Sequence, residues 1–474
     1  MIKRICSSLF ILFAAFQSFA MSFEISDLKW VNDVGAKNIP SSDKIFNVSE
    51  YGAVGNGTKI NTKEIQAAVD ACCNAGGGKV TFPTGEYLTG SVYLKNGVIL
   101  EIPEGVTILG STDINDYPVI ETRIAGVEMK WPSALINVLD CDNVMITGKG
   151  IIDGQGKIFW DKYWEMRRDY EARGLRWIVD YDCDRPRTIL VSESENVTIK
   201  DINIRQAGFW TMQLLYYTYC TVDGVVIRNN INGRGPSTDG IDIDSSTKIL
   251  IENCDVDCND DNYCLKAGRD ADGIRVNRPT EFVVIRNCIS RAGGGLITCG
   301  SETSGGIRNI LMYDCKAIGT GSGLMLKSAL TRGGGIENIY LKNIEMDGVR
   351  SAFTISVNWN PSYSYSTLPE EFKNVELPVH WNKMLTPVSP EKGLSYIKGV
   401  YLSDINVSNA GTAFPVEGTE DAIIAGIHLD NVKVQSRRGG RITFAKDWSV
   451  KNLELYTEER LRITNAEGVE INDK

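Results

Sequence analysis

The sequence predicts an all-β chain wound as a right-handed parallel β-helix, a single solenoid with a capping helix at its N-terminal end. Three observations predict it. The first is a weak repeat: an alternating strand ends in an apolar residue, a spacer, then Asp or Asn, and usually a second apolar residue. It reads Ile199-Lys200-Asp201-Ile202, Ile227-Arg228-Asn229-Asn230, Ile251-Glu252-Asn253-Cys254 and Ile285-Arg286-Asn287-Cys288. It continues as Met312-Tyr313-Asp314-Cys315, Leu341-Lys342-Asn343-Ile344, Leu402-Ser403-Asp404-Ile405 and Leu429-Asp430-Asn431-Val432. The steps are 28, 24, 34, 27, 29, 61 and 27 residues, with 61 read as two periods. The second observation is the chemistry of the repeat, since period-two alternation of β-branched residues means strand and Asn, Asp and Gly between strands mean tight turns. The third is the lack of helical periodicity between Val191 and Ser356, which excludes crossover helices. Short strands at this period stack most simply as coils of a solenoid, whereas a propeller blade needs about 40–50 residues.

The elements follow in chain order. Residues 1–20 read as a secretory leader, with Lys3 and Arg4 before an apolar run from Leu9 to Phe16 and Ser18-Phe19-Ala20 as the cleavage signal. The run is too short to span a bilayer, which takes about 20 apolar residues. The expected location is therefore secreted or periplasmic, with no membrane insertion. Residues 21–474 are expected to form one β-helix catalytic domain. Asn61-Thr62, followed by Lys63-Glu64-Ile65-Gln66-Ala67-Ala68-Val69, reads as a helix start with Ile65, Ala68, Val69 and Cys72 on one face. That helix is expected to plug the open end of the coil stack. Gly76-Gly77-Gly78 ends it, and the first strand is expected to start at Lys79.

Two insertions interrupt the repeat. Residues 155–187 carry Trp160, Trp164, Trp177 and six arginines, and residues 358–396 carry Trp359, Tyr363, Tyr365 and Trp381. Insertions in a solenoid gather on one face and often carry function. Eleven cysteines follow the leader; Cys254, Cys288 and Cys315 recur with the repeat, which points to a packed ladder, while Cys72-Cys73 is a candidate for a disulfide.

Composition narrows the chemistry. The chain has 50 Lys+Arg against 60 Asp+Glu, a net charge of −10, which argues against a nucleic-acid partner. Its two histidines, His380 and His428, are far apart, and no C-x-x-C spacing suggests zinc, so no metal or cofactor is expected. The carboxylates carry the interest. Ser237-Thr238-Asp239-Gly240-Ile241-Asp242-Ile243-Asp244 and Asn259-Asp260-Asp261-Asn262-Tyr263-Cys264-Leu265-Lys266 place Asp239 and Asp260 about one coil apart. One coil advances a β-helix by about 4.8 Å, so these carboxylates can share a substrate. Crowded carboxylates raise one another's pKa, which keeps one protonated as an acid while another serves as base. Inverting glycoside hydrolysis needs that set. Turn residues or a calcium site are the competing readings of Asp242, Asp244 and Asp260-Asp261. If Ile241, Ile243, Tyr263 and Leu265 point inward, the chain must bend at Gly240 and near Asn262 for Asp239 and Asp261 to reach the surface.

At these residues the sequence resembles glycoside hydrolase family 28, the polygalacturonases and their relatives, from about residue 45 to 435. The resemblance includes Phe46-Asn47-Val48, Tyr51-Gly52-Ala53, Tyr87-Leu88-Thr89-Gly90 and Gly150-Ile151-Ile152-Asp153-Gly154. The family's Asn-Thr-Asp motif is similar to Ser237-Thr238-Asp239, and its Asp-Asp motif is intact at Asp260-Asp261. The resemblance implies a parallel β-helix, an inverting mechanism with Asp260 as general acid, and Asp239 with Asp261 holding and activating water. It implies an acid–base separation of roughly 6.5–9.5 Å. Two motifs depart: Gly-His-Gly is Gly293-Gly294-Gly295, and Arg-Ile-Lys is Met325-Leu326-Lys327. In the family the arginine and lysine grip a galacturonate carboxylate, which leaves Lys327, with Gly294 at the histidine's position, as the substrate-binding candidates. Thr331-Arg332-Gly333-Gly334 is similar to an Arg-Gly-Gly of exo-acting bacterial relatives and adds Arg332 to them. The expected function is a metal-independent, exo-acting glycosidase of pectic polysaccharides or oligosaccharides, galacturonic-acid-containing or rhamnogalacturonan-type. A β-helix polysaccharide lyase using calcium and an arginine base, and a non-catalytic pectin-binding relative, are the alternatives.

Overall fold

A computed structural model describes residues 23–472; the expected leader, residues 1–20, lies outside them. The chain is a right-handed parallel β-helix. The middle coils contribute three short strands each, which merge in later coils into strands as long as Ile424–Lys446, and each pairs in parallel with its counterpart one coil later. Glu195–Lys200, Asn203–Arg205 and Met212–Leu215 pair with Thr218–Asp223, Val226–Arg228 and Ile241–Asp244. These pair in turn with Thr247–Glu252, Asp255–Asp257 and Tyr263–Lys266. Inward side chains stack into columns: Ile199, Val222, Ile251, Ile285, Met312, Leu341, Leu402 and Leu429 follow one another on successive rungs, all buried.

The Asp or Asn of the repeat has a backbone reason. Asp201, Asn253, Asn287, Asp314, Asn343, Asp404 and Asn431 all adopt left-handed φ values of 54–58°. Asn and Asp tolerate that conformation better than other residues with a Cβ. The turn lets the next residue face the core again, so Cys254, Cys288 and Cys315 do form a buried ladder.

The register corrects three steps of the repeat, those of 28, 24 and 61 residues. Ile199 pairs with Val222, not Ile227, and Ile227 belongs to the following strand, opposite Ile204. In that coil Gly224, at φ 66°, takes the left-handed position held elsewhere by Asp or Asn, which hides the coil from a search for acidic or amide residues. The 61-residue step is one coil, because Leu341 pairs directly with Leu402 and the second insertion lies between them. Gly224 supplies a test. Gly224→Asn should stay within about 1 kcal/mol of the parent, whereas Gly224→Val should destabilise by about 1–3 kcal/mol, because a β-branched residue resists left-handed φ. Denaturant midpoints of the two variants read the difference.

The helix Thr62–Asn74 buries Ile65, Ala68, Val69 and Cys72 against the first coil, as expected of a cap. All eleven cysteines of the described residues are free thiols. Cys72 faces the core and its neighbour Cys73 sits at the edge, so the suggested Cys72-Cys73 bridge does not form. Strands Ile45–Asn47 and Asn56–Ile60 precede the strand expected to be first. No helix among the described residues is long and apolar enough to cross a membrane.

The two insertions fold mainly as helices, including Lys157–Ala172 and Val179–Asp182 in the first and Val379–Leu385 in the second. They interlock. Trp177 meets Trp381 edge-on at 5.5 Å, Arg173 pairs with Glu371 at 3.0 Å, and Trp381 Nε1 donates to Asp182 at 3.0 Å. An antiparallel hairpin, Val119–Ile124 and Val127–Pro132, joins them and was not legible in the repeat. Buried Arg269 ties the group to the solenoid, donating to Tyr181 Oη at 2.9 Å and to the Tyr363 carbonyl at 2.6 Å.

Candidate active site

The strands Ile241–Asp244 and Tyr263–Lys266 lie on adjacent rungs and set the site. Ile241, Ile243, Tyr263 and Leu265 are in the core, so Asp242, Asp244, Cys264 and Lys266 project outward. Asp239 reaches the outer face because the chain turns at Gly240. A Cβ there would sit 2.6 Å from core Val256 and 2.5 Å from the Asn262 carbonyl, so Gly240 faces inward in place of Asp239. Asn262 makes the second bend, its buried amide donating to the carbonyls of Ala292 at 3.0 Å and Gly295 at 2.8 Å.

Asp239, Asp260 and Asp261 therefore converge on one pocket of about 480 Å³ of open space, mouth included. Lys266, Lys327 and Glu302 share its floor. Asp239 and Asp261 are 3% and 2% exposed, while Asp260 is half-buried. Lys327 Nζ donates to Asp261 Oδ2 at 2.8 Å, and Thr298 Oγ1 donates to Oδ1 at 2.9 Å. Lys266 Nζ stands 3.6 Å from Asp239, 3.7 Å from Asp242 and 3.5 Å from Glu302.

These neighbours divide the carboxylates. Burial, then the charge of Asp261, pushes Asp260 up to about 6. Burial would raise Asp261 as well, but Lys327 and Lys266 outweigh it and hold the group below the usual carboxylate value. Asp239 is raised well above it, by burial first and then by Asp260 and Asp242. Glu302 is held down at about 2, burial being outweighed by Lys266, Arg332 and Arg269. One acid protonated near pH 6 thus sits beside one carboxylate kept ionised.

Asp239, Asp261 and Cys264 bring ligand atoms within 4.8 Å of one another, close enough to hold a metal ion. The donor set suits one poorly, because an ammonium already bonds Asp261, a second stands beside Asp239, and burial raises the Cys264 thiol well above its usual value.

The other candidates are placed differently. Lys327 lines the pocket with its ammonium 4.3 Å over the Trp359 ring. Arg332 is fully buried behind the pocket, donating to the Ser301 carbonyl at 3.0 Å and to Asp270 at 2.6 Å, so it braces the wall and does not face the pocket. Gly294 is packed against the site and does not line it; a Cβ there would stand 2.5 Å from Asp261 Oδ1. Neither histidine lines the pocket: His380 bonds Asp182 at 2.5 Å and His428 stacks on Tyr401 at 4.6 Å. Of the aromatic candidates Trp359 and Tyr363 line the pocket, whereas Tyr365 bonds the Leu330 backbone at 3.1 Å. Lys266 and Glu302 were not singled out from the sequence. Alternation beyond Leu265 would have pointed Lys266 outward on the Asp261 strand, but nothing local marks Glu302. Trp210, Arg176 and Asp180 also line the pocket, the last two from the first insertion.

Comparison with known proteins bears on this geometry. The family model "Glycosyl hydrolases family 28" matches residues 72–377, a span that includes every residue of the pocket floor. A probable polygalacturonase of Vitis vinifera is 29% identical over 81% of this chain and 73% of its own length. An exo-poly-alpha-D-galacturonosidase of Dickeya chrysanthemi is 25% identical over 86% of this chain and 70% of its own. The fold is similar to that of an exopolygalacturonase from Thermotoga maritima, with a TM-score of 0.71 at 24% identity, covering 94% of this chain and 96% of that one. The coil architecture, the intact Asp260-Asp261 pair and a family match over well more than half its length lead to one assignment: the chain belongs to glycosyl hydrolases family 28.

Proposed function

We propose that the chain is an inverting, exo-acting hydrolase of galacturonic-acid-containing pectic polysaccharides or oligosaccharides, exported from the cytoplasm. The carrying observation is the opposite treatment of neighbouring carboxylates: Asp260 is pushed up to about 6 while Lys327 and Lys266 keep Asp261 ionised. Asp260 donates its proton to the leaving glycosidic oxygen. Asp261, kept ionised, withdraws the proton of a water on the opposite face of the sugar as it attacks the anomeric carbon, and Asp239 helps to hold that water. Inversion needs that water between acid and base, hence a separation of roughly 6.5–9.5 Å. The interlocked insertions support exo action, because Arg176 and Asp180 from one and Trp359 and Tyr363 from the other wall the pocket. The names of the Dickeya and Thermotoga relatives point the same way. Lys3, Arg4 and the apolar run after them support export.

Digestion of defined oligogalacturonides tests the reading, with early products resolved by chromatography and their anomeric configuration read by proton NMR. Monogalacturonate or digalacturonate released first, with inverted configuration, is the expected result. Internal fragments at the earliest times would overturn exo action, and retained configuration would overturn inversion. Unsaturated, ultraviolet-absorbing products would show a lyase, and intact substrate a binding protein.

Gly294 gives a sharper check. Restoring a side chain here drives Cβ to 2.5 Å from Asp261 Oδ1 and must displace it. Gly294→Ala and Gly294→His are expected to lower kcat by about 10²-fold, the usual consequence of misplacing a reacting group by about 1 Å. Single-turnover kinetics on a folded variant measure it.

A further inference from the structure

Three cationic side chains line the pocket, and two of them are committed to protein carboxylates. Lys327 bonds Asp261 at 2.8 Å, and Lys266 stands 3.5–3.7 Å from Glu302, Asp239 and Asp242. Arg176 differs. It sits between the two helices of the first insertion, with its guanidinium 5.0 Å over the Tyr363 ring. Nη1 donates to Asp180 Oδ2 at 2.6 Å, and Nε lies 3.7 Å from Glu171, beyond hydrogen-bond reach. Nη2 donates to no atom among the described residues. A planar guanidinium held on one edge and free on the other is built to take a carboxylate.

The surroundings fix the arginine and leave it its charge. Asp180 is pinned by Ser237 Oγ at 3.0 Å and by Arg185 at 3.4 Å, and Arg185 is itself stacked between Tyr163 and Phe209. Two guanidinium groups thus share one carboxylate. Glu171 is likewise shared, bonding Arg167 at 2.8 Å. The floor has no such surplus, because Lys266 and Lys327 are both taken up by its own carboxylates, Asp239, Asp261 and Glu302. A negatively charged ring therefore settles best with its carboxylate turned towards the first insertion, where a cation keeps an unpaired edge. Met325, where the resemblance expects an arginine, carries no charge.

We propose that Arg176 reads the carboxylate of the terminal uronate ring, receiving it on the edge that carries Nη2 and so selecting uronate over neutral sugar. The proposal rests on the reading of the site as uronate-directed, and the test keeps the two apart. Calorimetric titration of the intact protein with galacturonate and, separately, with galactose compares the parent with Arg176→Gln and Arg176→Lys. The parent is expected to prefer galacturonate. Arg176→Gln should weaken galacturonate binding about tenfold or more, the scale of one lost charge-assisted hydrogen bond, and leave galactose unchanged. Arg176→Lys should fall between, since a point charge cannot fork. A parent without preference overturns the proposal, as does an Arg176→Gln or Arg176→Lys protein of normal melting temperature that keeps the parent's preference. Where Arg176→Gln melts early, Arg176→Lys decides, because it retains a cation for Asp180. Arg176-dependent galacturonate binding with no cleavage of any oligogalacturonide would sink the hydrolase reading and leave this one standing.

Discussion

Asp260→Asn should lower kcat by about 10²–10⁴-fold on natural pectic substrates, the usual contribution of a positioned general acid. The pH dependence of the parent should identify the same group. An acid must be protonated to act, so kcat/KM falls as pH rises through the folded value of Asp260, about 6. Asp261 works ionised and is held below the ordinary carboxylate value, so its limb lies on the acid side, below about 4. The parent is therefore expected to give a bell with its descending arm near pH 6. In Asp260→Asn the residual rate should lose that arm, because the amide has no proton to surrender. A substrate whose leaving group needs no protonation, such as an aryl galacturonide with an electron-poor ring, should recover much of the lost rate. An unchanged product yield from Asp260→Asn would dismiss the assignment, and a retained descending arm would move the acid to another carboxylate.

How much of this was legible in the sequence depended on how local each signal is. The ladder of buried residues was legible because the turn that returns the chain to the core needs a left-handed residue, and Asn and Asp supply it in most coils. Where Gly224 supplies it instead, the letter changes though the conformation does not, and the pattern falls on Ile227 in place of Val222. The bends at Gly240 and Asn262 could be deduced from alternation alone, because an inward Ile241 and an outward Asp239 cannot share one regular strand. The roles of Arg332 and Glu302 were not legible. Arg332 resembles a substrate contact by position, yet a carboxylate 62 residues away in sequence, Asp270, turns it into a buried brace. Glu302 gains its place from Lys266, Arg269 and Arg332, cations from the coils before and after its own. Contacts made across coils and insertions leave no period in the sequence, and these are the contacts that distinguish the pocket from its motif.

Lys327→Met should produce the largest combined loss, in stability and in turnover together. If Lys327 were a solvated lysine at the edge of a rung, its removal would cost less than about 0.5 kcal/mol. It is instead 5% exposed and bonded to a carboxylate that is 2% exposed. Removing one member of a buried pair strands the other, at a cost of about 3–5 kcal/mol. The sign of the pH dependence follows from both partners. Asp261 has a lowered folded pKa, so its contribution is present above the unfolded value of about 4 and is lost as pH falls through the folded one. Lys327 has a raised folded pKa, so its contribution is present below about 10 and is lost as pH rises through the folded one. The parent should thus exceed Lys327→Met in stability across about pH 4–10, with the gap narrowing towards stronger acid, and denaturant midpoints at pH 7 and pH 3 measure it. In the variant the raised pKa of Asp261 should also carry the acid limb of kcat/KM upward towards the arm set by Asp260. Lys327 also lowers Asp260, so the descending arm moves up too, but by less because the direct bond is to Asp261; the limbs draw together and the height of the bell falls. Lys327→Arg, which keeps the charge in another shape, should restore most of the stability and only part of the rate. That split would separate the charge that holds Asp261 ionised from the geometry that aims it.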